Sequence, residues 1–158
     1  MWISRDIERR LRHAARTRPV LVVTGARQAG KTAVLRRLFR RHHFVSLDLP
    51  TEAEQADKDP VAFLARHPLP VIIDEVQYAP SLFRHIKALV DADRRRSGRF
   101  LLTGSQKFTL MRGVAESLAG RADIVELDSP NCTPIPTSTP PRSTTRTWPP
   151  TSNAMSDR

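Results

Sequence analysis

An octapeptide, Gly25-Ala26-Arg27-Gln28-Ala29-Gly30-Lys31-Thr32, separates a short apolar, β-branched run at residues 20–24 from a segment, residues 31–41, that places Val34, Leu35 and Leu38 on one helical face. The order is therefore strand, loop, helix, and the loop has the spacing G-x-x-x-x-G-K-[ST]. Glycines tolerate the backbone conformations that turn successive N–H groups inward around a small concavity, and the following helix adds its positive end. Such a loop cradles phosphate. Lys31 is expected on the β and γ phosphates, and the Thr32 hydroxyl is a hard oxygen ligand suited to Mg²⁺. Arg27 and Gln28 either contact phosphate or face solvent.

The rest of the chain repeats the alternation. Ile3, Ile7, Leu11 and Ala15 recur every four residues, which predicts an N-terminal amphipathic helix within residues 1–18 whose outer face carries Arg5, Arg9, Arg12 and Arg16. Pro19 ends it. Residues 43–49 alternate like a strand; Asp59-Pro60 opens a short helix through Phe63 and Leu64, with proline suited to a first helical position. Val71, Ile72 and Ile73 form an apolar strand that ends in Asp74-Glu75. Ser81 reads as the cap of a helix bearing Leu82, Phe83, Ile86, Leu89 and Val90. Further strands are expected at 100–102 and 124–127, with a helix at 109–118 between them. Short apolar strands alternating with helices predict an α/β fold, a parallel sheet covered on both faces.

Composition bounds what this fold can do. The 158 residues suffice for about one domain. Seven of the 13 prolines and twelve serines or threonines fall in residues 129–158, where no apolar period remains, so a folded domain over 1–128 is expected to precede a disordered tail. The 26 Lys and Arg outnumber 16 Asp and Glu, a formal charge of +10 that suits a polyanionic partner, nucleotide or nucleic acid. Cys132 is the single cysteine, which excludes an internal disulfide and a cysteine-based zinc cluster and makes the cytoplasm the default setting. Clean apolar runs such as residues 20–23 are far shorter than the roughly 20 residues of a membrane span.

Carboxylates at the end of an apolar parallel strand lie where open α/β sheets bind their ligands. Asp74 is expected to hold Mg²⁺, and Glu75 to polarise an attacking water, because hydrolysis needs a base and the phosphate loop offers none. Thr103 and Ser105 close the next strand; they either hold the lytic water and sense the γ phosphate or act as ordinary turn formers. Arg121, just before the last strand, is either an exposed arginine or a charge that reaches a neighbour's γ phosphate. The clusters Arg36-Arg37-Arg40-Arg41 and Arg94-Arg95-Arg96-Arg99 could neutralise nucleic-acid phosphates, but they lack aromatic platforms and read more simply as solvated faces. His42, His43 and His67 lack metal-ligand spacing.

Taken together, GARQAGKT, LDLP, DKDPVAFLARHP, VIIDEVQYAP and FLLTGSQKFTLMRGVAESLAGR resemble the prokaryotic AAA-type ATPases in which such a domain precedes a DUF4143 region. IDEVQ followed by LTGSQ and SLAGR is the more specific part. The resemblance implies a five-stranded P-loop sheet ordered 5-1-4-3-2, ATP with Mg²⁺, and action between subunits. Lys31 and Thr32 then take the phosphate and magnesium roles, Asp74 and Glu75 the Walker B roles, Ser105 or Thr103 a sensor role and Arg121 that of an arginine finger in trans. Gln77 fits the pattern without a role that the sequence supplies. Beyond residue 128 the resemblance stops, which predicts that truncation or a change of reading frame produced the tail. The expected function is Mg²⁺-dependent ATP hydrolysis; the alternatives are a non-catalytic nucleotide-binding fragment and a basic nucleic-acid-binding module.

Overall fold

The computed structural model describes residues 5–127, apart from the side chain of Phe108. The predicted disordered tail, and the Ile3 position of the N-terminal helix, lie outside the described residues. The elements in chain order are α1 (Arg5–Thr17), β1 (Val20–Gly25), α2 (Lys31–Leu38), β2 (His43–Ser46), α3 (Pro50–Lys58), α4 (Pro60–Arg66), β3 (Val71–Asp74), a 3-10 turn (Val76–Tyr78), α5 (Ser81–Ala92), β4 (Phe100–Gly104), α6 (Lys107–Ser117) and β5 (Ala122–Leu127). Every strand pairing is parallel, and the order β2-β3-β4-β1-β5 is the expected 5-1-4-3-2 read from the opposite edge.

Parallel strands need crossover helices, and here these cover both faces of the sheet. On one face, Leu11, Ala14 and Ala15 of α1 and Val34 and Leu35 of α2 pack on Leu21, Val23, Ile72, Leu101, Val125 and Leu127. On the other, Phe63, Leu82, Phe83, Ile86, Val90, Leu110 and Val114 cover Val20, Val22, Val71, Ile73, Phe100 and Leu102. Each Val, Leu, Ile or Phe among these contributes roughly 1.5–3 kcal/mol on full burial. The alternation within β1 and β4 assigns neighbouring residues to opposite layers, which makes this a three-layer sandwich.

Several element ends differ from the sequence reading for local reasons. Helix α2 stops at Leu38 rather than at Arg41, because Phe39 leaves helical geometry at φ −120°, ψ 56°. Ser81 is not a cap: Pro80 takes the N-cap position, and the Ser81 N–H is satisfied from outside the helix by Asp57 Oδ1 at 2.9 Å. Helix α3 had no expectation attached to it, since only Ala53 and Ala56 are buried and two alanines make a faint period. Its signals were Pro50 in the first turn and the helix-forming run that follows. In α4 the expected Asp59-Pro60 start is found, with Asp59 Oδ1 accepting the Ala62 N–H at 2.9 Å.

Candidate nucleotide site

Three chain segments meet at the C-terminal edge of the sheet: the loop after β1, the end of β3 and the end of β4. Gly25 must be glycine, since at φ 146° a Cβ would stand 2.2 Å from the Leu127 carbonyl oxygen of the paired strand. Gln28 and Gly30 adopt left-handed φ values of 63° and 80°, which coil the backbone into the helix start. Gly30 occupies the N-cap of α2 without a side-chain cap, and no acid lies in the first turn. The positive end of α2 therefore opens into the loop. Ala26, Arg27 and Gln28 are exposed, while Ala29 is buried and ties its N–H to the Ala26 carbonyl at 3.2 Å.

Lys31 is 5% exposed, unusual for a lysine. Its ammonium donates to the carbonyls of Gly25 at 3.0 Å and Ala26 at 2.8 Å. Those bonds use two of three donors and leave one for a phosphate oxygen. The Thr32 hydroxyl donates to Asp74 Oδ1 at 2.6 Å, so the first turn of α2 is joined to the end of β3. The same carboxylate oxygen accepts from the Thr103 hydroxyl, which in turn accepts the Glu75 N–H at 3.3 Å. Thr103 is fully buried, so it acts as a brace beneath Asp74 and Glu75.

Glu75 has φ 54°, a left-handed value rare for a residue with a side chain, and it precedes the 3-10 turn. Its Oε2 accepts three bonds: from Ser105 Oγ at 2.8 Å, from Ser105 N–H at 3.2 Å and from the Gln77 side-chain amide. Burial pushes the Glu75 carboxyl up, but the bonds from Gln77 and Ser105 and the nearby Lys31 charge outweigh it and hold the carboxyl below its ordinary range. Glu75 is accordingly ionised at neutral pH and able to accept a proton.

Lys31, Thr32, Asp74, Glu75, Thr103 and Ser105 are thus brought together. Arg121 is not. It precedes β5, at the sheet edge opposite the loop, where its guanidinium grips Asp91 in a bidentate pair at 2.8 and 2.9 Å. Several arginines of the basic clusters likewise find intramolecular partners: Arg37 pairs with Glu8, Arg94 with Asp91 and Arg96 with Asp93, while Arg36 lies over the Phe44 ring. A cavity of about 710 Å³, lined by Arg12, Arg16, His42, Arg96 and Arg99, also lies at that opposite edge and is separate from the loop. The sequence reading missed Gln77 as a contact of Glu75; its position two residues after the acid was the available signal. No group of three or more metal-ligating side chains of the His/Cys/Asp/Glu type occurs among the described residues. No helix among them is long and apolar enough to cross a membrane.

This sheet order, with a glycine-lysine-threonine loop after β1 and an Asp-Glu pair ending β3, defines a P-loop ATPase domain of the AAA type. The model of the AAA domain family AAA_14 matches residues 17–131, and the chain belongs to that family. It is 38% identical over 125 residues to the uncharacterized protein Mb2031c of Mycobacterium bovis and, to the same extent, to the uncharacterized protein Rv2008c of Mycobacterium tuberculosis. The matched region is 78% of this chain and 28% of each relative, so the chain spans little more than a quarter of their length. Among solved structures, the Walker-type ATPase PABY2304 of Pyrococcus abyssi superposes with a TM-score of 0.54 at 17% identity, covering 81% of this chain and 54% of that one. That likeness is one of fold.

Proposed function

We propose that this domain binds Mg²⁺-ATP and hydrolyses it to ADP and phosphate. The observation that carries the reading is the direct bond between Thr32 and Asp74, which holds the phosphate loop against the carboxylates of β3. Backbone N–H groups of residues 25–30 and the start of α2 cradle the phosphates, and Lys31 supplies a positive charge anchored on two carbonyls. Thr32 and Asp74 present converging hard oxygens, the donor type Mg²⁺ prefers, and would hold that ion. Bound there, Mg²⁺ would offset charge on the phosphate oxygens. Glu75 takes a proton from the attacking water, and Ser105 keeps the carboxylate facing the phosphate end of the site.

Hydrolysis of Mg²⁺-ATP by the 158-residue chain, with nucleotide binding followed on the same samples, tests this. Lys31→Ala is expected to weaken binding, whereas Glu75→Gln retains binding and loses turnover by 10²-fold or more, on the order expected for a general base. Nucleotide binding without any turnover in the unaltered chain would overturn the hydrolytic half. A role for Arg121 in trans requires its guanidinium to leave Asp91, and it would show as specific activity that rises with protein concentration and is lost in Arg121→Ala.

A further inference from the structure

We propose that Gln77 is the positioning residue for the Glu75 carboxylate, tethering Oε2 so that Oε1 is left to receive the proton from water. The inference deepens, and rests on, the hydrolytic reading above. Among the described residues, all three hydrogen bonds to the Glu75 side chain converge on Oε2, and none reaches Oε1. Two come from Ser105, just past the end of β4; the third comes from Gln77 in the same turn as the acid. The carboxylate is therefore gripped from both the segment after β4 and the turn after β3, which restricts rotation about its terminal torsion.

The backbone is built to permit this grip. The left-handed Glu75 reverses the chain, and the Tyr78 N–H closes the turn on the Glu75 carbonyl at 3.1 Å, so side chains 75 and 77 lie on the same side. Gln77 is 5% exposed, yet only its amide nitrogen is used; Oε1 has no hydrogen-bond partner among the described residues. Burying an unpartnered carbonyl is unfavourable, and a leucine or methionine would fill the space without that cost. What a leucine or methionine cannot do is donate to Glu75. Gly104 completes the arrangement: a Cβ at that position would lie 2.4 Å from Gln77 Oε1 and 2.9 Å from Leu110 Cδ2, so the amide reaches the acid only over a glycine.

The test compares unaltered chain, Gln77→Met and Gly104→Ala in steady-state ATP hydrolysis, with the nucleotide dissociation constant measured for each. Loss of the tether is expected to lower kcat roughly ten- to a hundredfold, as misplacement of a reacting group does, and to leave KM and nucleotide affinity within about twofold. Gly104→Ala attacks the same contact without altering either partner, which covers the case in which Gln77→Met does not fold. In a double-mutant cycle of Gln77→Met with Gly104→Ala, the two losses are expected to be non-additive, because each removes one and the same contact. Undiminished kcat in either folded variant, a change confined to KM, or additive losses would each overturn the tether. Should the unaltered chain itself fail to hydrolyse ATP, the hydrolytic reading falls. Turnover that depends on Glu75 but ignores Gln77 removes this inference alone.

Discussion

Replacing Thr103 with valine deletes one hydroxyl at nearly constant volume, in a side chain with no solvent exposure. That hydroxyl donates to Asp74 Oδ1 and accepts the Glu75 N–H at 3.3 Å. Valine can do neither. Asp74 keeps the Thr32 bond, so the main loss is the stranded Glu75 N–H, with a smaller loss at the carboxylate. An unmade buried hydrogen bond of this kind costs about 1–3 kcal/mol, and the shape match of valine adds no cavity term. Urea unfolding followed by far-ultraviolet circular dichroism measures the difference directly, provided the denaturant slope is unchanged. A fall in the midpoint equivalent to about 1–3 kcal/mol is expected. Stability within about 0.5 kcal/mol of the unaltered chain, the range of an ordinary surface substitution, would refute the assignment of Thr103 as a brace.

Two further outcomes follow from other parts of the fold. Gly25→Ala forces a Cβ to 2.2 Å from the Leu127 carbonyl and keeps φ at 146°, so a loss of at least about 2 kcal/mol is expected in the same unfolding assay, together with weaker nucleotide binding; an alanine variant as stable as glycine would contradict the close β1–β5 approach. His42 is held below its ordinary pKa by burial, an effect only partly offset by its bond to the Gly98 carbonyl, in a cavity also lined by Arg12, Arg16, Arg96 and Arg99. The unfolded chain therefore takes up the proton first, near pH 6.5, and stability present above that value falls as pH drops through it. His42→Gln is expected to flatten that slope between about pH 7.5 and 5.5, and an unchanged slope would refute it.

The sequence made the phosphate loop legible because each of its constraints is local: glycine where φ is positive, an apolar strand before it and a helix after it. The strand positions were equally plain, since β1, β3 and β4 are buried on both faces and read as unbroken apolar runs. Helix α3 was not legible, because alanine contributes little contrast to a hydrophobic period. Strand order entered by family resemblance rather than by pattern; nothing in residues 122–127 announces that they pair with residues 20–25. Side-chain roles divided in the same way. Lys31, Thr32, Asp74 and Glu75 could be assigned from position along a strand or loop, while the uses of Thr103 and Gln77 depend on which segments meet across the sheet. Arg121 shows another limit, because its finger role came from family resemblance, whereas the carboxylate it grips, Asp91, lies on α5.

The position of β1 between β4 and β5 bears on how the molecule assembles during synthesis. Both neighbours of the strand that carries the phosphate loop are encoded after residue 99, so a nascent chain that ends earlier can pair β2 with β3 but leaves both edges of β1 open. Until Leu127 has left the ribosome, the carbonyl that packs on Gly25 is missing, and the loop lacks one of its walls. A nucleotide held by the assembled loop would then stabilise only chains that have reached Leu127. Such long sequence separations slow folding and lengthen the time an apolar edge is exposed. The strand that makes the domain a nucleotide binder is thus among the last to be enclosed.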